Sequence, residues 1–473
     1  MADAFTLADL KAYADAQRGR FEALLKEFVE IPSVSMDPAR KQDVAKMADV
    51  AARTLTAFGF ESKVLPTPGN PLVFGQKIVD PAAPTVMIYN HMDVQPGGDP
   101  AEWKTDPFVY TKSGDTYFAR GATDDKGPGL TALFAAAYAM EKNVKVNLKF
   151  LWELEEEIGS PNFKEGIKAH AALLGADFVV VSDTIWVSRE RPAAPAGLRG
   201  LQAMRFILET GTSDQHSGVC GGAARNPIAE MASLLAKIVD GETGKVKIPG
   251  FYDDVEKPSK KELENFKKCG FSVKKFKQDH GFKSLRTNDP LEVMKRVWAM
   301  PTFEIHGIVG GYTGPGVKTV VPPRAEAKIS MRLVPAQDPK KIVKLVQRYV
   351  KKKNPDVQVE VESALKPYRG LTTGPLADLI KSSMAFAFGK EPVFVREGGS
   401  IGAVVTMEKV LGCPVTFLGL SLPEHGYHAP NENYDWQQAS GGIAAFAKLF
   451  DDAQRLAVKS KEGEKKKVAG KRK

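Results

Sequence analysis

Pro84-Thr-Val-Met-Ile-Tyr-Asn-His-Met-Asp-Val-Gln-Pro96 is the stretch that decides the fold. Its apolar, partly β-branched run at 86–89 predicts a strand that is buried on both faces. His91 and Asp93 follow directly, and ligands of open α/β sheets bind just beyond the carboxyl ends of strands. A histidine there, with an aspartate two residues on, suggests a metal ligand and the carboxylate that orients its ring. An ordinary hydrogen-bonded histidine is the alternative, so the interpretation depends on whether the pattern recurs.

The same pattern recurs at other predicted strands. Residues 147–152, 178–181 and 413–420 are buried-strand patterns, and each is followed by acidic residues or histidine. Three consecutive glutamates at 155–157 are costly at a strand end unless a cation neutralises them. A glycine-rich loop at 120–128 adds two adjacent aspartates, which suit a hard cation or zinc. The side chains brought to this edge are His91, Asp124, Asp125, Glu156, Glu157, Asp183 and His428, with His425 as a rival ligand candidate.

Length and composition describe a globular protein with more than one domain. The chain has 473 residues, of which 43% are hydrophobic and 26% charged. No apolar run is long enough to span a bilayer and no secretory signal is visible, so we expect no membrane partner. The cysteines Cys220, Cys269 and Cys413 are widely spaced and odd in number, which fits a cytoplasmic location.

The positive charge is concentrated at the end of the chain. Residues 459–473 contain eight Lys/Arg and two Glu, a net of +6 out of the total of +9. This segment has no aromatic residue on which bases could stack. We therefore interpret 458–473 as a solvated, disordered tail and do not expect a nucleic-acid partner.

A long interval separates the last two predicted site residues. Asp183 and His428 are 245 positions apart, far more than one crossover needs, which predicts an inserted domain. Strand patterns at 201–209, 328–333 and 357–361 alternate there with helix patterns at 227–238 and 339–349, which is typical of an α+β sandwich. We predict that the lysine-rich stretch 257–283 is a helical, solvated excursion. The remaining predicted elements are helices from the Thr6 capping box to about residue 30 and at 41–58, 129–141, 375–388 and 436–456, with strands at 62–65 and 72–75.

The motifs at the predicted site resemble those of the M20 family of di-metal peptidases. The motifs are His91-Met-Asp93, Arg120-Gly-Ala-Thr-Asp124-Asp-Lys-Gly127, Glu156-Glu-Ile-Gly-Ser160, Ser182-Asp183 and His428-Ala-Pro-Asn-Glu432. A second set is similar to the branch of cytosolic nonspecific and carnosine dipeptidases: Gly197-Leu-Arg-Gly200, His216-Ser-Gly218, Lys318-Thr-Val320, Arg332-Leu-Val-Pro335 and Arg396-Glu-Gly-Gly-Ser400. The resemblance extends over residues 31–449 and leaves out the basic tail.

The resemblance implies a fold and a domain order. The expected fold class is α/β, with a mixed-sheet di-metal hydrolase domain and an inserted α+β sandwich that serves as lid and dimerisation domain. We expect the catalytic domain in two parts, 1–198 and 371–457, with the inserted domain at 199–370. The resemblance also implies a homodimer formed through the inserted domain.

The family resemblance further implies a set of metal ligands. Five side chains would hold two divalent ions per subunit: His91 and Asp183 one, Glu157 and His428 the other, with Asp124 bridging them. Zinc is the favoured metal, with manganese or cobalt as alternatives, because histidine and carboxylate ligands suit all three. The stretch 153–157 lacks the glycine that many members have after the first acid, which leaves the roles of Glu156 and Glu157 open to exchange.

The remaining implied roles concern the reaction and the substrate. Glu156 would be the general base, Asp93 would orient His91, and His216 would help stabilise the oxyanion in a partner subunit. Three side chains would contact the substrate: Thr319, Ser400 and Arg332, the last by pairing with a terminal carboxylate.

These roles lead to one predicted function and two alternatives. We predict hydrolysis of dipeptides or short peptides with a free C-terminal carboxylate, by a metal-bridging water that a glutamate activates. The first alternative is an N-acyl amino acid amidohydrolase of the same fold. The second is a non-catalytic binding protein that uses the basic tail.

Overall fold

The structure, a computed structural model, describes residues 4–456, so the basic tail predicted at 458–473 lies outside the described residues. The strands are β1 Glu61–Leu65, β2 Leu72–Lys77, β3 Thr85–His91, β4 Thr111–Ser113, β5 Thr116–Phe118, β6 Asn147–Glu153, β7 Phe178–Val181, β8 Ala193–Leu198, β9 Gly200–Glu209, β10 Gln215–His216, β11 Glu304–Gly310, β12 Val320–Val321, β13 Arg324–Leu333, β14 Gln358–Leu365, β15 Tyr368–Arg369, β16 Val393–Glu397, β17 Val415–Phe417 and β18 Asn433–Asp435. The α-helices are α1 Leu7–Val29, α2 Lys41–Ala57, α3 Gly127–Glu141, α4 Phe163–Ala169, α5 Ala171–Leu174, α6 Ser217–Cys220, α7 Pro227–Ile238, α8 Lys260–Lys268, α9 Val273–Asp279, α10 Pro290–Trp298, α11 Pro339–Lys353, α12 Pro375–Phe388, α13 Gly402–Leu411 and α14 Trp436–Ala453.

A six-stranded mixed sheet is the centre of the larger part of the molecule. Its strand order is β1-β2-β6-β3-β7-β17. Strand β3 pairs in parallel with β6 and β7, whereas β2 runs antiparallel to β6 and β1 to β2. Parallel strands covered on both faces require apolar residues at successive positions, and the run at 86–89 supplies them.

Helices cover both faces of this sheet. Val86 and Ile88 belong to a core shared with α1, α2, α3 and α14, while Met87 and Tyr89 face a second core shared with α4 and α13. Side chains of a strand alternate between the two faces of the sheet, so residues 86–89 contact the helices on both faces. The predicted α/β class with a mixed sheet is therefore confirmed.

The chain between β8 and β15 forms a four-stranded antiparallel sheet with a hydrophobic core of its own. Its order is β11-β13-β9-β14, and α7 and α11 pack against it. Phe206 and Ile329 point from neighbouring strands into a core with Leu234 of α7 and Val346 of α11. This is the α+β arrangement expected of the inserted segment, and its boundaries at 199 and 370 stay a prediction.

The lysine-rich stretch at 257–283 is helical, as predicted, but the prediction that it is solvated is wrong for α8. Phe266 and Cys269 are buried in the core shared with α1 and α3. Arg396 at the end of β16 pairs with Glu262 of α8, with Nη2 2.8 Å from Oε1. The lysines occupy the outer side of a short amphipathic helix, so its high charge conceals a buried apolar stripe.

Within residues 4–456, no helix combines the length and the apolar character that crossing a bilayer requires.

Candidate active site

The predicted metal ligands meet at the carboxyl edge of the six-stranded sheet. His91 is the last residue of β3, and Asp183 follows β7, the neighbouring parallel strand. On the other side of β3, β6 ends at Glu153 and leads into a short turn that carries Glu156 and Glu157. Strands aligned in this way bring residues that are distant along the chain to one edge.

Asp124 lies between the two predicted histidine ligands. Its Oδ1 is 2.9 Å from Nε2 of His91, and its Oδ2 is 2.9 Å from Nε2 of His428. Nε2 of His428 is also 3.2 Å from Oε2 of Glu157, and Nε2 of His91 is 4.0 Å from Oδ1 of Asp183. One carboxylate thus joins two histidine–carboxylate pairs, and its role as a bridging ligand stays a prediction.

The ligand atoms form two overlapping groups. Atoms of His91, Asp124 and Glu157 lie within 4.8 Å of one another, and so do atoms of His91, Glu156 and Asp183. Glu156 and Glu157 therefore both reach the cluster. Their proposed division into base and ligand stays a prediction.

The electrostatics of the cluster fit divalent cations. Burial raises the pKa values of Glu156, Glu157 and Asp183, and repulsion from neighbouring carboxylates raises them further. Burial alone would lower the pKa of His428, but its hydrogen bonds with Asp124 and Glu157 outweigh this and raise it to about 11. Oε1 of Glu157 is buried without a hydrogen-bond donor among residues 4–456. The cluster therefore combines several buried carboxylates, one of them with an oxygen that lacks a hydrogen-bond donor, and two imidazoles. This set of ligand atoms suits zinc, manganese or cobalt.

Asp93 forms hydrogen bonds with His91 and with the turn that carries Glu156 and Glu157. Nδ1 of His91 donates to the backbone oxygen of Asp93 at 3.0 Å, which leaves Nε2 directed at Asp124. The carboxylate of Asp93 accepts the backbone N–H groups of Glu156 at 3.2 Å and Glu157 at 3.1 Å. Oδ1 of Asp93 also lies 3.5 Å from Nδ1 of His91, so the predicted contact is made by both the backbone and the carboxylate, which in addition positions the two glutamates.

The neighbouring polar residues His425 and Asp125 have other partners. Nδ1 of His425 accepts the backbone N–H of Leu422 at 3.1 Å, and its Nε2 lies 3.0 Å from Oδ2 of Asp435. Asp125 accepts a hydrogen bond from the Asn90 amide at 2.8 Å. Both nitrogens of His425 are engaged, so His428 is the histidine of this segment that is available to a metal.

Two side chains that contact the ligands were missed by the sequence analysis. The hydroxyl of Tyr427 donates to Oδ1 of Asp183, and Nε2 of Gln95 donates to Oε2 of Glu157 at 2.7 Å. Both lie within three residues of a predicted site residue, but no spacing rule indicates that a tyrosine or glutamine there faces the site.

The predicted substrate residues Arg332 and Ser400 are in contact. Nη1 of Arg332 is 2.9 Å from Oγ of Ser400, which itself donates to the backbone oxygen of Arg199 at 2.5 Å. Burial lowers the pKa of Arg332, and among residues 4–456 no carboxylate forms an ion pair with it. Burial and the charge of Arg332 also lower the pKa of Arg199 to about 10. An unpaired guanidinium beside a hydroxyl is a receptor for an anion.

A cavity of about 480 Å³ adjoins the cluster. His428 and Tyr427 are among its lining residues, and Phe271, Phe276 and Trp298 contribute aromatic surface. This volume accommodates a small organic molecule.

His216 and Thr319 lie on a separate two-stranded ribbon. Strands β10 and β12 pair antiparallel, and the N–H of Ser217 donates to the backbone oxygen of Thr319 at 3.0 Å. Both predicted residues are exposed, and in the described chain neither forms a hydrogen bond or ion pair with the ligand cluster. The structure brings them to each other but not to the metal ligands of the same chain.

This fold and this cluster define a metal-dependent hydrolase. The model of Peptidase family M20/M25/M40 matches residues 87–452. The human Beta-Ala-His dipeptidase is 30% identical over 94% of this chain and 92% of its own length. The Cys-Gly metallodipeptidase dug1 of Schizosaccharomyces pombe is 32% identical over 93% of this chain and 97% of its own length.

A solved structure agrees with these relatives. The dipeptidase Dug1p of Saccharomyces cerevisiae matches with a TM-score of 0.84 and 28% identity, covering 96% of this chain and 99% of that chain. The chain belongs to peptidase family M20, on the branch of these dipeptidases, and is a metallopeptidase.

Proposed function

We propose that this metallopeptidase hydrolyses dipeptides or short peptides that carry a free C-terminal carboxylate, with two divalent ions, zinc in the first place, at its centre. The observation that carries the proposal is the placement of Asp124 between His91 and His428 at 2.9 Å from each. The unpaired Arg332 supports a carboxylate-bearing substrate. The names of the relatives, which refer to beta-Ala-His and Cys-Gly, support a dipeptide.

The residues of the cluster would have two kinds of role, metal binding and proton transfer. His91 and Asp183 would hold one ion, Glu157 and His428 the other, with Asp124 between them. When bound, such a pair of ions lowers the pKa of a water and polarises the carbonyl of the substrate. Glu156 takes a proton from the water and passes it to the leaving amine. The turn of Glu156 is held by Asp93, so the base is presented in a fixed position.

The substrate carboxylate would be bound by Arg332 and Ser400. Arg332 and Ser400 offer a guanidinium and a hydroxyl 2.9 Å apart, which suits the two oxygens of one carboxylate. Correct placement of the scissile bond follows from this contact, because the carboxylate lies at a fixed number of bonds from the peptide carbonyl.

We further propose a homodimer in which His216 and Thr319 act in the partner's site. Val219 and Val317, which flank these residues, are 86% and 91% exposed, and Val309 on the edge strand β11 is 56% exposed. Exposed apolar side chains on an unpaired edge favour association, and a twofold dimer would use the same edge twice. A cytoplasmic location stays a prediction from the sequence.

Chelation followed by metal replacement tests the proposal. Exhaustive dialysis against a chelator is expected to abolish hydrolysis of a dipeptide panel, and zinc, manganese or cobalt is expected to restore it. C-terminally amidated dipeptides serve as matched substrates and are expected to react far more slowly. Full activity after chelation, or equal rates on the acid and the amide, would contradict the proposal.

A further inference from the structure

A second cavity, of about 800 Å³, is lined by the turn at 243–245, helix α10 and the segment 300–304 that leads into β11. Within the described chain, its lining includes none of the predicted metal ligands and none of the predicted substrate residues. Only Phe276 and Val297 line both this cavity and the one beside His428. The second cavity is therefore a candidate binding site apart from the peptidase centre.

Cationic side chains outnumber carboxylates in the second cavity. Five of them line it: Arg199, Lys245, Arg286, Lys295 and Arg296. The two carboxylates are Glu292 and Glu304, which leaves a net charge of +3. Glu292 pairs with Lys295 inside α10, with Oε1 2.6 Å from Nζ. Among residues 4–456 the other four cations form no ion pair, so the protein leaves most of this charge uncompensated.

The turn that contains Gly244 gathers three of the cations. Nη1 of Arg296 donates to the backbone oxygen of Thr243 at 2.8 Å. Gly244 has a φ of +72°, and a Cβ atom at this position would lie 3.3 Å from Nε of Arg286. The guanidinium of Arg286 therefore lies against the turn, where glycine provides both the backbone conformation and the space. Lys245 follows on the same turn and adds an ammonium group.

Arg199 adds a cation that is largely enclosed by protein. Its Nε donates to the backbone oxygen of Gly398 at 3.0 Å, while its Nη1 is buried and has no acceptor among residues 4–456. An uncompensated guanidinium in such a place is costly. An anion bound in the second cavity would offset part of this cost.

Aromatic side chains also line the second cavity. The ring centroids of Phe276 and Phe282 lie 5.9 Å apart, and Phe282 is 45% exposed. Tyr252 and Phe303 are further lining residues. An exposed aromatic ring can stack on the planar ring of a ligand, as it does with nucleic-acid bases. The volume of the cavity accommodates a molecule the size of a nucleotide.

We propose that the second cavity binds a small organic phosphate that carries a planar ring, such as a nucleotide. The phosphate contacts Lys245 and Arg286 at the turn, and the ring stacks on Phe282. Arginine and lysine are common phosphate ligands in proteins. A phosphate monoester carries about −1.5 to −2 charges at pH 7, which matches a net charge of +3 better than a single carboxylate does. This binding is independent of the peptidase reaction and goes beyond the proposed function.

Calorimetric titration of the metal-loaded protein with AMP and, separately, with inorganic phosphate tests the proposal. The native protein is expected to bind both, and AMP more tightly because only AMP has a ring. Lys245→Gln combined with Arg286→Gln is expected to raise both Kd values at least about tenfold, the value of one hydrogen bond between charged groups. Phe282→Ala is expected to raise the Kd of AMP and to leave that of phosphate unchanged.

A second pair of substitutions controls for the loss of charge. Lys344→Gln combined with Arg348→Gln removes two exposed charges of α11 outside the cavity and is expected to keep the native Kd values. Absence of binding to the native protein would overturn the inference. Kd values that stay the same after Lys245→Gln and Arg286→Gln would also overturn it, because the anion then binds elsewhere, for example at the metal ions. Equal affinities for AMP and phosphate would refute the role given to the ring.

Discussion

Asp124 owes its position between the two histidines to a residue 308 positions later in the chain. The carboxylate of Glu432 accepts the backbone N–H groups of Gly121, Thr123 and Asp124, each at 3.0 Å, and a hydrogen bond from Arg120 at 2.8 Å. Burial raises the pKa of Glu432 to about 7 although Arg120 opposes this. One buried carboxylate therefore fixes the loop that carries the bridging aspartate.

Replacement of this carboxylate by an amide is expected to weaken both the fold and the metal site. Glu432→Gln leaves Arg120 uncompensated and turns an N–H₂ group toward backbone donors, so we expect a loss of about 3–5 kcal/mol in the free energy of unfolding. Metal affinity is expected to fall about 10- to 100-fold, as for other residues that orient ligands. Urea unfolding and metal titration measure the two effects. An unchanged metal affinity would contradict the role given to Glu432.

Glu156 is expected to act on the proton rather than on the metal. Glu156→Gln keeps the shape of the side chain and removes the base, so turnover is expected to fall about 10²- to 10⁴-fold while metal content and melting temperature stay unchanged. Glu165→Gln, an exposed glutamate on α4, is the matched control. If Glu156→Gln instead loses metal, Glu156 is a ligand and the base is another residue, with Glu157 as the first candidate.

At the scale of residues, the sequence predicted those site residues that directly follow a buried strand. His91 and Asp183 stand directly after apolar runs, and the structure places them on neighbouring parallel strands. Tyr427 was not predicted, because its role depends on a hydroxyl that reaches Asp183 across 244 positions of chain. Side-chain contacts of this kind have no period or spacing in the sequence.

At the scale of elements, length and the regularity of the apolar pattern together decide what the sequence predicts. Helices α7 and α12 match their predicted limits because proline marks their first turn and their apolar stripes are regular. Strands β4, β5, β10, β12, β15 and β18 were not predicted, since two or three residues are too few for an alternating pattern. The longer strands β8, β11 and β16 were also missed; β8 is buried at every position and β11 is mostly exposed, so neither alternates. Strand β17 was predicted too long, at 413–420, because Leu418 and Leu420 are buried without being part of the strand.

The edge strand β11 provides a test of dimer formation. Val309→Lys places a charge on an exposed edge, so we expect a monomer in analytical ultracentrifugation and a loss of activity of at least about tenfold. Val361→Lys on the opposite edge strand β14, where Val361 is 45% exposed, is the matched control and is expected to stay dimeric. Monomeric native protein with full activity would refute the proposed dimer.

At the scale of the whole molecule, the question is whether one active site draws on two chains. His216 and Glu156 are not in contact within one chain, and the proposed dimer would unite them across the subunits. Mixed His216→Ala and Glu156→Gln proteins, each inactive alone, would form one intact site per mixed dimer. After unfolding and refolding together, about a quarter of native activity is expected because half of the dimers are mixed. No recovery, with mixed dimers verified, would place His216 outside the site.

Hydrolysis by the proposed mechanism depends on cations bound at the cluster around Asp124. Titration of the metal-free protein with zinc, with bound metal and Ala-Ala hydrolysis measured at each step, tests this most directly. We predict that about two ions bind per chain and that full activity appears only as the second site fills, as for paired-metal hydrolases. Binding of no ion at this cluster, or hydrolysis that proceeds at the same rate without metal, would contradict the account.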